Sequence, residues 1–244
     1  MNALLEEIFK TRKFKNSRNE VVDVHSETSK AQCEYLQKLI RDNNFSNSIE
    51  IGFAYGTSTL AIVEEVAKRN GHHTVIDKYE IVSWGSSGLD LIEQAGYEKD
   101  ITFIEEYCYA VLPRLLASGK QYDFAYIDST KQFDWLLVDF FFIDKLLKVG
   151  GIIVFDDVPF PSIRKLMRYI VQFPSYRVHS QFPENYPVSA GMKLAGMFKA
   201  LPKAGKLIRP EILVTDHKMG LNTGCVAIQK IDEDKRSWDW HVEF

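Results

Sequence analysis

The stretch Ser48-Ile49-Glu50-Ile51-Gly52-Phe53-Ala54-Tyr55-Gly56-Thr57-Ser58-Thr59-Leu60 decides the fold. Ile49 and Ile51 are β-branched and apolar, as a buried parallel strand requires. Gly52 and Gly56 bracket a sharp turn that leaves room for a ligand. Thr57 or Ser58 is placed to cap the next helix, whose apolar stripe is Leu60, Ile62, Val63 and Val66. Strand, glycine turn and helix start together make a site for a nucleotide-type ligand. A plain helix-packing turn is the competing reading of the same glycines.

Outward from this stretch, strand and helix patterns alternate. Lys30 to Asp42 reads as a helix behind the cap cluster Ser26-Glu27-Thr28-Ser29. Strands are predicted at His72–Asp77, Ile101–Ile104, Tyr122–Asp128, Ile152–Asp157, Tyr176–Ser180 and Gly224–Gln229. Helices are predicted at Trp84–Gly96, from Cys108 to Leu116, at Gln132–Leu147 and at Ser162–Val171, with Lys148-Val149-Gly150-Gly151 as a stop. This alternation implies an α/β fold: a doubly wound, seven-stranded, mostly parallel sheet. Residues 1–25 read as an N-terminal helical arm with a solvated basic run, and 26–244 as one domain. The segment 181–223, about forty residues, is long for a connection. It reads as an insertion before the last strand, serving as a substrate lid or an oligomer contact. His72 and His73 fall at a strand start and read as surface residues.

Composition narrows the partners. The 244 residues are 45% hydrophobic and 26% charged, as in a soluble globular protein, and the net charge of -3 gives no nucleic-acid footprint. No apolar run suits a transmembrane segment, and Met1 to Glu7 lacks the pattern of a secretory signal. The three cysteines form neither a zinc pattern nor a disulfide framework, so a cytoplasmic location is expected. A homodimer is compatible with this picture.

Acids end three of the strands: Asp77, Asp128, and the pair Asp156-Asp157. Doubly wound sheets bind ligands at these strand ends. Asp77 follows Gly56 by about twenty residues, the interval at which an acid meets ribose hydroxyls; its alternative is capping the next turn. Carboxylates gathered this closely repel one another and need a cation, whether from a ligand, a lysine or a metal.

Glu50-x-Gly52-x-x-x-Gly56 lacks the three glycines of a dinucleotide fingerprint. It resembles the first motif of class I S-adenosylmethionine-dependent methyltransferases. Asp128-Ser129-Thr130-Lys131 and Gly150-Gly151-Ile152-Ile153-Val154-Phe155-Asp156-Asp157 are similar to two groups of small-molecule O-methyltransferases. One is the metal-dependent catechol and caffeoyl-CoA type, with Asp-x-x-Lys and a later Asp-Asn pair. The other carries Asp-Gly-x-His and Phe-Asp-Asp. The chain departs from the first at Asp157 and from the second at Ser129 and Lys131. The resemblance covers roughly residues 26–180.

The resemblance implies S-adenosylmethionine bound by Glu50, Gly52, Ala54, Tyr55, Gly56, Ser58, Asp77 and Asp128, with Cys108 or Tyr109 near adenine. It implies Asp128 and Lys131 as catalytic residues. It also implies Mg²⁺ or another divalent cation on Asp128, Asp156 and Asp157, lowering the pKa of a small-molecule hydroxyl acceptor, phenolic or sugar-like. Lys131 takes the proton if its own pKa is depressed. The bland alternatives are a lysine that neutralises Asp128, and acids that serve only the cofactor and helix caps. Two other classes compete: a non-catalytic cofactor-binding module and a nicotinamide-dependent oxidoreductase on a similar sheet. N-methylation stays open, because the fold does not choose the acceptor.

Overall fold

The structure, a computed structural model, describes residues 1–183 and 215–244. Its main sheet is built from β3 (Asn47–Ile51), β4 (His72–Ile76), β5 (Ile101–Ile104), β6 (Tyr122–Ile127), β7 (Leu147–Phe155), β8 (Tyr176–Phe182) and β9 (Cys225–Lys230). The order across the sheet is β5-β4-β3-β6-β7-β9-β8. Strands β3 to β7 pair in parallel, while β9 runs antiparallel to both β7 and β8. The chain reverses its direction of winding between β3 and β6, which makes the crevice beyond their carboxyl ends the switch point. The seven-stranded, mostly parallel α/β sheet expected from the sequence is therefore present.

Alternation along the strands serves two cores. On β3, Ile49 and Ile51 face one side; on β6, Ala125 and Ile127 join them, packed under helices α6 (Cys108–Ala117), α7 (Phe133–Leu146) and α8 (Pro161–Ile170). Phe124 and Tyr126 of β6 face the other side, with Leu36 and Ile40 of α2 (Lys30–Asp42) and Leu60 and Val63 of α3 (Thr57–Ala67).

Several elements differ from the sequence reading. The N-terminal segment is no solvated extension. Helix α1 (Ala3–Thr11) buries Leu5 and Ile8 completely, and Asn2 caps it by accepting from the Leu4 N–H. The basic run then forms a hairpin of β1 (Lys13–Lys15) and β2 (Val21–Asp23). Phe14 points into the core between two exposed lysines, and the Asn16 side chain closes the turn by accepting from the Arg18 and Glu20 N–H groups. The expected helix over 84–96 is shortened to α5 (Ser87–Gln94) and preceded by a separate α4 (Glu80–Trp84), because Gly85 and Ser86 between them both take left-handed φ. Strand β7 starts five residues early, through the stretch read as a stop. Its register against β6 shifts there, where Gly150 has φ 92°.

Of the expected insertion 181–223, residues 184–214 lie outside the described residues. Beyond them, Asp216 accepts from Arg168 at 2.7 Å, which ties the return segment to α8. No described helix is long and apolar enough to cross a membrane.

Candidate functional site

One cavity of about 570 Å³ opens at the carboxyl ends of β3, β4, β6 and β7. This lies within the range of roughly 300–1,000 Å³ usual for small-molecule sites. Gly52, Ala54, Ser58, Asp77, Cys108, Asp128, Lys131, Asp156 and Asp157 all line it. Those nine predicted residues are thus gathered from five separate parts of the chain.

The glycine turn is built for close approach. The Gly52 N–H donates to Ile76 O, and the Asp128 N–H donates to Ile51 O, so the turn is clamped between two strands. Gly52 has φ 101°, and a Cβ there would lie 2.1 Å from Asp128 O. Gly56 has φ 73° and starts α3 as its N-cap without a side-chain cap. The expected capping by Thr57 or Ser58 is therefore corrected. Thr57 Oγ1 accepts from the Thr28 N–H at 3.1 Å, fixing the 26–29 loop over the cavity. Ser58 Oγ turns down to Glu50 at 2.5 Å.

Glu50 does not reach the cavity. It is fully buried beneath the turn, where its carboxylate accepts from Ser58, from Thr59 at 2.6 Å and pairs with His73 Nε2 at 2.9 Å. His73 is likewise fully buried, with Nδ1 2.8 Å from Ser48 Oγ, so it is not the surface residue expected. The expectation failed because Ser48, Glu50 and His73 form a polar patch inside one core. Three other predicted cofactor residues stand back from the cavity. Tyr55 packs edge-on between His25 and Trp84. Gly56 abuts Gly88. Tyr109 stacks on Tyr107 at 5.2 Å, and Tyr107 is the one that lines the cavity.

The Asp77 carboxylate is held by three backbone donors. Oδ2 accepts from the Phe53 N–H at 2.8 Å and the Ala54 N–H at 3.4 Å, and Oδ1 from the Tyr79 N–H at 2.7 Å. It caps the turn and still borders the cavity. A carboxylate offers about four lone-pair positions, so capacity remains for a ligand hydroxyl.

At the other end stand the acids and the lysine. Lys131 Nζ lies 2.8 Å from Asp128 Oδ1 and 2.7 Å from Asp157 Oδ2. The loop that carries it is tied to α8 by a hydrogen bond from Ser162 Oγ to Lys131 O. Burial alone would lower the pKa of Lys131, but Asp128 and Asp157 outweigh it and raise it. The depressed lysine expected for a proton acceptor is not what the structure holds. Asp156 accepts from Tyr126 Oη at 2.8 Å and from the Asp157 N–H at 2.8 Å. Burial, aided by the charge of Asp128 nearby, pushes its carboxyl up to about 6.

The metal expected on Asp128, Asp156 and Asp157 finds no ready-made arrangement of ligands. Among the described residues no group of three or more His, Cys, Asp and Glu side chains is arranged to hold a metal ion. Lys131 sits between Asp128 and Asp157, where an ion shared by those carboxylates would lie, so the donor set as arranged does not fit a divalent ion.

Sequence reading also missed lining residues. Ser26, Thr28, Ser29 and Gln32 were seen only as a helix start, although a cap cluster beside a glycine turn is a usable signal. Tyr107 and Trp135 form an aromatic wall, with ring centroids 5.9 Å apart. Nothing local marks Trp135, although it follows the cavity residue Lys131 by four positions at the start of α7.

Comparison with known proteins fits this geometry. Residues 49–158 match the methyltransferase domain family, spanning β3 through the end of β7. A caffeoyl-CoA O-methyltransferase of Populus kitakamiensis is 28% identical over 64% of this chain and 70% of its own. Caffeoyl-CoA O-methyltransferase 2 of Petunia hybrida is 33% identical over 60% and 63%. An O-methyltransferase from Bacillus cereus, solved in complex with SAH, superposes with a TM-score of 0.59 at 20% identity, covering 73% of this chain and 83% of that one. The chain spans between half and seven tenths of the length of such curated relatives. The fold is that of solved O-methyltransferases, and the segment 49–158 matches a methyltransferase domain. The relatives named are likewise O-methyltransferases.

Proposed function

We propose that this chain transfers the methyl group of S-adenosylmethionine to a hydroxyl of a small molecule. The observation that carries the proposal is the gathering of Gly52, Asp77, Asp128 and Lys131 on one cavity at the switch point of the sheet. S-adenosylmethionine supplies an electrophilic methyl group on a sulfonium, and its transfer is a direct displacement. The protein therefore has mainly to align donor and acceptor.

Each end of the cavity takes a part of that task. Gly52 and Ala54 let the ligand approach the backbone closely. Asp77 accepts from the ribose, and Tyr107, Cys108 and Trp135 enclose the adenine end. Asp128, Lys131, Asp156 and Asp157 face the acceptor. Lys131, held as an ammonium, donates to the acceptor oxygen and stabilises the negative charge that grows on it. A carboxylate must then take the hydroxyl proton. Asp156 faces the same cavity with a carboxyl at about 6, a suitable value for a base near neutral pH. Asp128, engaged by Lys131, orients that lysine. The divalent ion implied by the resemblance has no part in this proposal.

The test is a radiolabelled methyl-transfer assay against a panel of phenols and polyhydroxylated acceptors. Turnover with at least one hydroxyl acceptor is expected, lost in Lys131→Met with S-adenosylhomocysteine binding retained. Transfer only to amines would overturn the hydroxyl assignment. Unchanged turnover in Lys131→Met would remove that residue from the mechanism.

A further inference from the structure

The acidic centre is partly charge-compensated from within the chain, with one ammonium bridging two of its three carboxylates. Three carboxylates meet at the ends of β6 and β7, and such a group needs a cation. Lys131 supplies it. Its Nζ reaches Asp128 Oδ1 at 2.8 Å and Asp157 Oδ2 at 2.7 Å, distances of charge-assisted hydrogen bonds. The lysine is fixed from both sides: its carbonyl accepts from Ser162, and it lies three residues past Asp128 in a short loop.

Asp157 is shaped for the same purpose. It takes φ 55°, a left-handed conformation that aspartate, with its short polar side chain, adopts more readily than most residues other than glycine. That conformation delivers its N–H to Asp156 Oδ1 and its own carboxylate to the lysine. Asp156 in turn is anchored on Tyr126, whose hydroxyl also accepts from Gln32 Nε2 at 3.0 Å. Every acid of the cluster thus has a partner among side chains and backbone of the described residues.

We infer that the Lys131 ammonium occupies the place in this site that a divalent cation would otherwise take, with Asp157 as the residue that positions it. A Mg²⁺ ion would have to displace the lysine from two charge-assisted hydrogen bonds, a handicap of about a hundredfold or more in affinity. This deepens the methyl-transfer reading and rests on it for one consequence. An acceptor meets a hydrogen-bond donor here rather than a chelating ion, so it needs no second hydroxyl beside the one that is methylated.

Mn²⁺ binding tests the inference apart from turnover. The full chain, freed of metal with a chelator that is then removed, is mixed with equimolar Mn²⁺, and the free ion is read by electron paramagnetic resonance, with and without S-adenosylhomocysteine. The wild-type protein should leave the free-ion signal unchanged. Lys131→Met should gain Mn²⁺ binding by at least about tenfold, and adding Asp157→Asn should remove that gain. Lys131→Arg, which keeps the positive charge, should bind none, and circular dichroism verifies that each variant is folded.

Stoichiometric Mn²⁺ uptake by the wild type, abolished by Asp128→Asn, would overturn the inference. So would a folded Lys131→Met protein that takes up no more Mn²⁺ than the wild type. Calorimetry with S-adenosylhomocysteine on the same samples separates the two claims: absence of that binding counts against the methyltransferase reading, while the Mn²⁺ result still decides the role of Lys131.

Discussion

Glu50 Oε2 and His73 Nε2 lie 2.9 Å apart with both side chains fully buried. Their pairing links neighbouring strands β3 and β4 directly below the glycine turn. Glu50 also accepts from Ser58 and Thr59 at the start of α3. One carboxylate therefore holds the strand, the next strand and the helix together. Glu50→Gln keeps the shape but replaces one acceptor oxygen with a donor, so that Ser58, Thr59 or the His73 ring must reorient to accept from it. A loss of about 1–3 kcal/mol is expected on urea unfolding, together with weaker S-adenosylhomocysteine binding because the turn is no longer braced. Wild-type stability in this variant would contradict the bracing role.

Gly52 is the tightest point of the site. An alanine there would carry left-handed strain worth about 1–3 kcal/mol, and its Cβ would press on Asp128 O at 2.1 Å. Relief requires parting β3 from β6, the two strands that form the floor of the cavity. Gly52→Ala should lower the melting temperature and abolish S-adenosylhomocysteine binding. A variant with unchanged melting and affinity would show that the turn does not shape the site.

Glu80 should make stability depend on pH. It is fully buried at the start of α4, and its Oε1 accepts from the Gly88 N–H at 2.7 Å. Its Oε2 has no hydrogen-bond partner among the described residues. Burial pushes its carboxyl up from an ordinary 4.5 to about 7, against the opposing pull of the Gly88 and Leu89 N–H groups. Between these values the folded state holds a proton that the unfolded state has released. Stability from this group is therefore full below pH 4.5, falls as pH rises, and levels off above about 7. The total is on the order of 3 kcal/mol at most, at roughly 1.4 kcal/mol per pKa unit. Glu80→Gln should flatten the fall in denaturation midpoint across that window. An unchanged slope would assign the pH dependence elsewhere.

Much of the architecture was legible because the strands are short apolar runs bounded by glycine and acids. Ile49-Glu50-Ile51-Gly52 and Ile152–Asp157 announce both the strand and the ligand edge. The acids at strand ends were readable for the same reason: topology alone carries them to one side. What a side chain does there was less legible. Glu50 sits on the motif yet points away from the cavity, since alternation along β3 sends it into a core that also holds Ser48 and His73. Lys131 was placed correctly in space, but its protonation depends on Asp157, which reaches it only through a left-handed backbone conformation. The packing of the N-terminal arm was hidden because Leu5, Ile8 and Phe14 are too few to mark a core until the sheet gives them a surface.

The most direct test of the account is calorimetric titration of S-adenosylhomocysteine into the full chain in the presence of a chelator. One site per chain is expected, with affinity reduced at least about tenfold by Asp77→Ala and lost in Gly52→Ala. No heat of binding and no thermal shift in the wild-type protein would contradict the assignment of this cavity to S-adenosylmethionine.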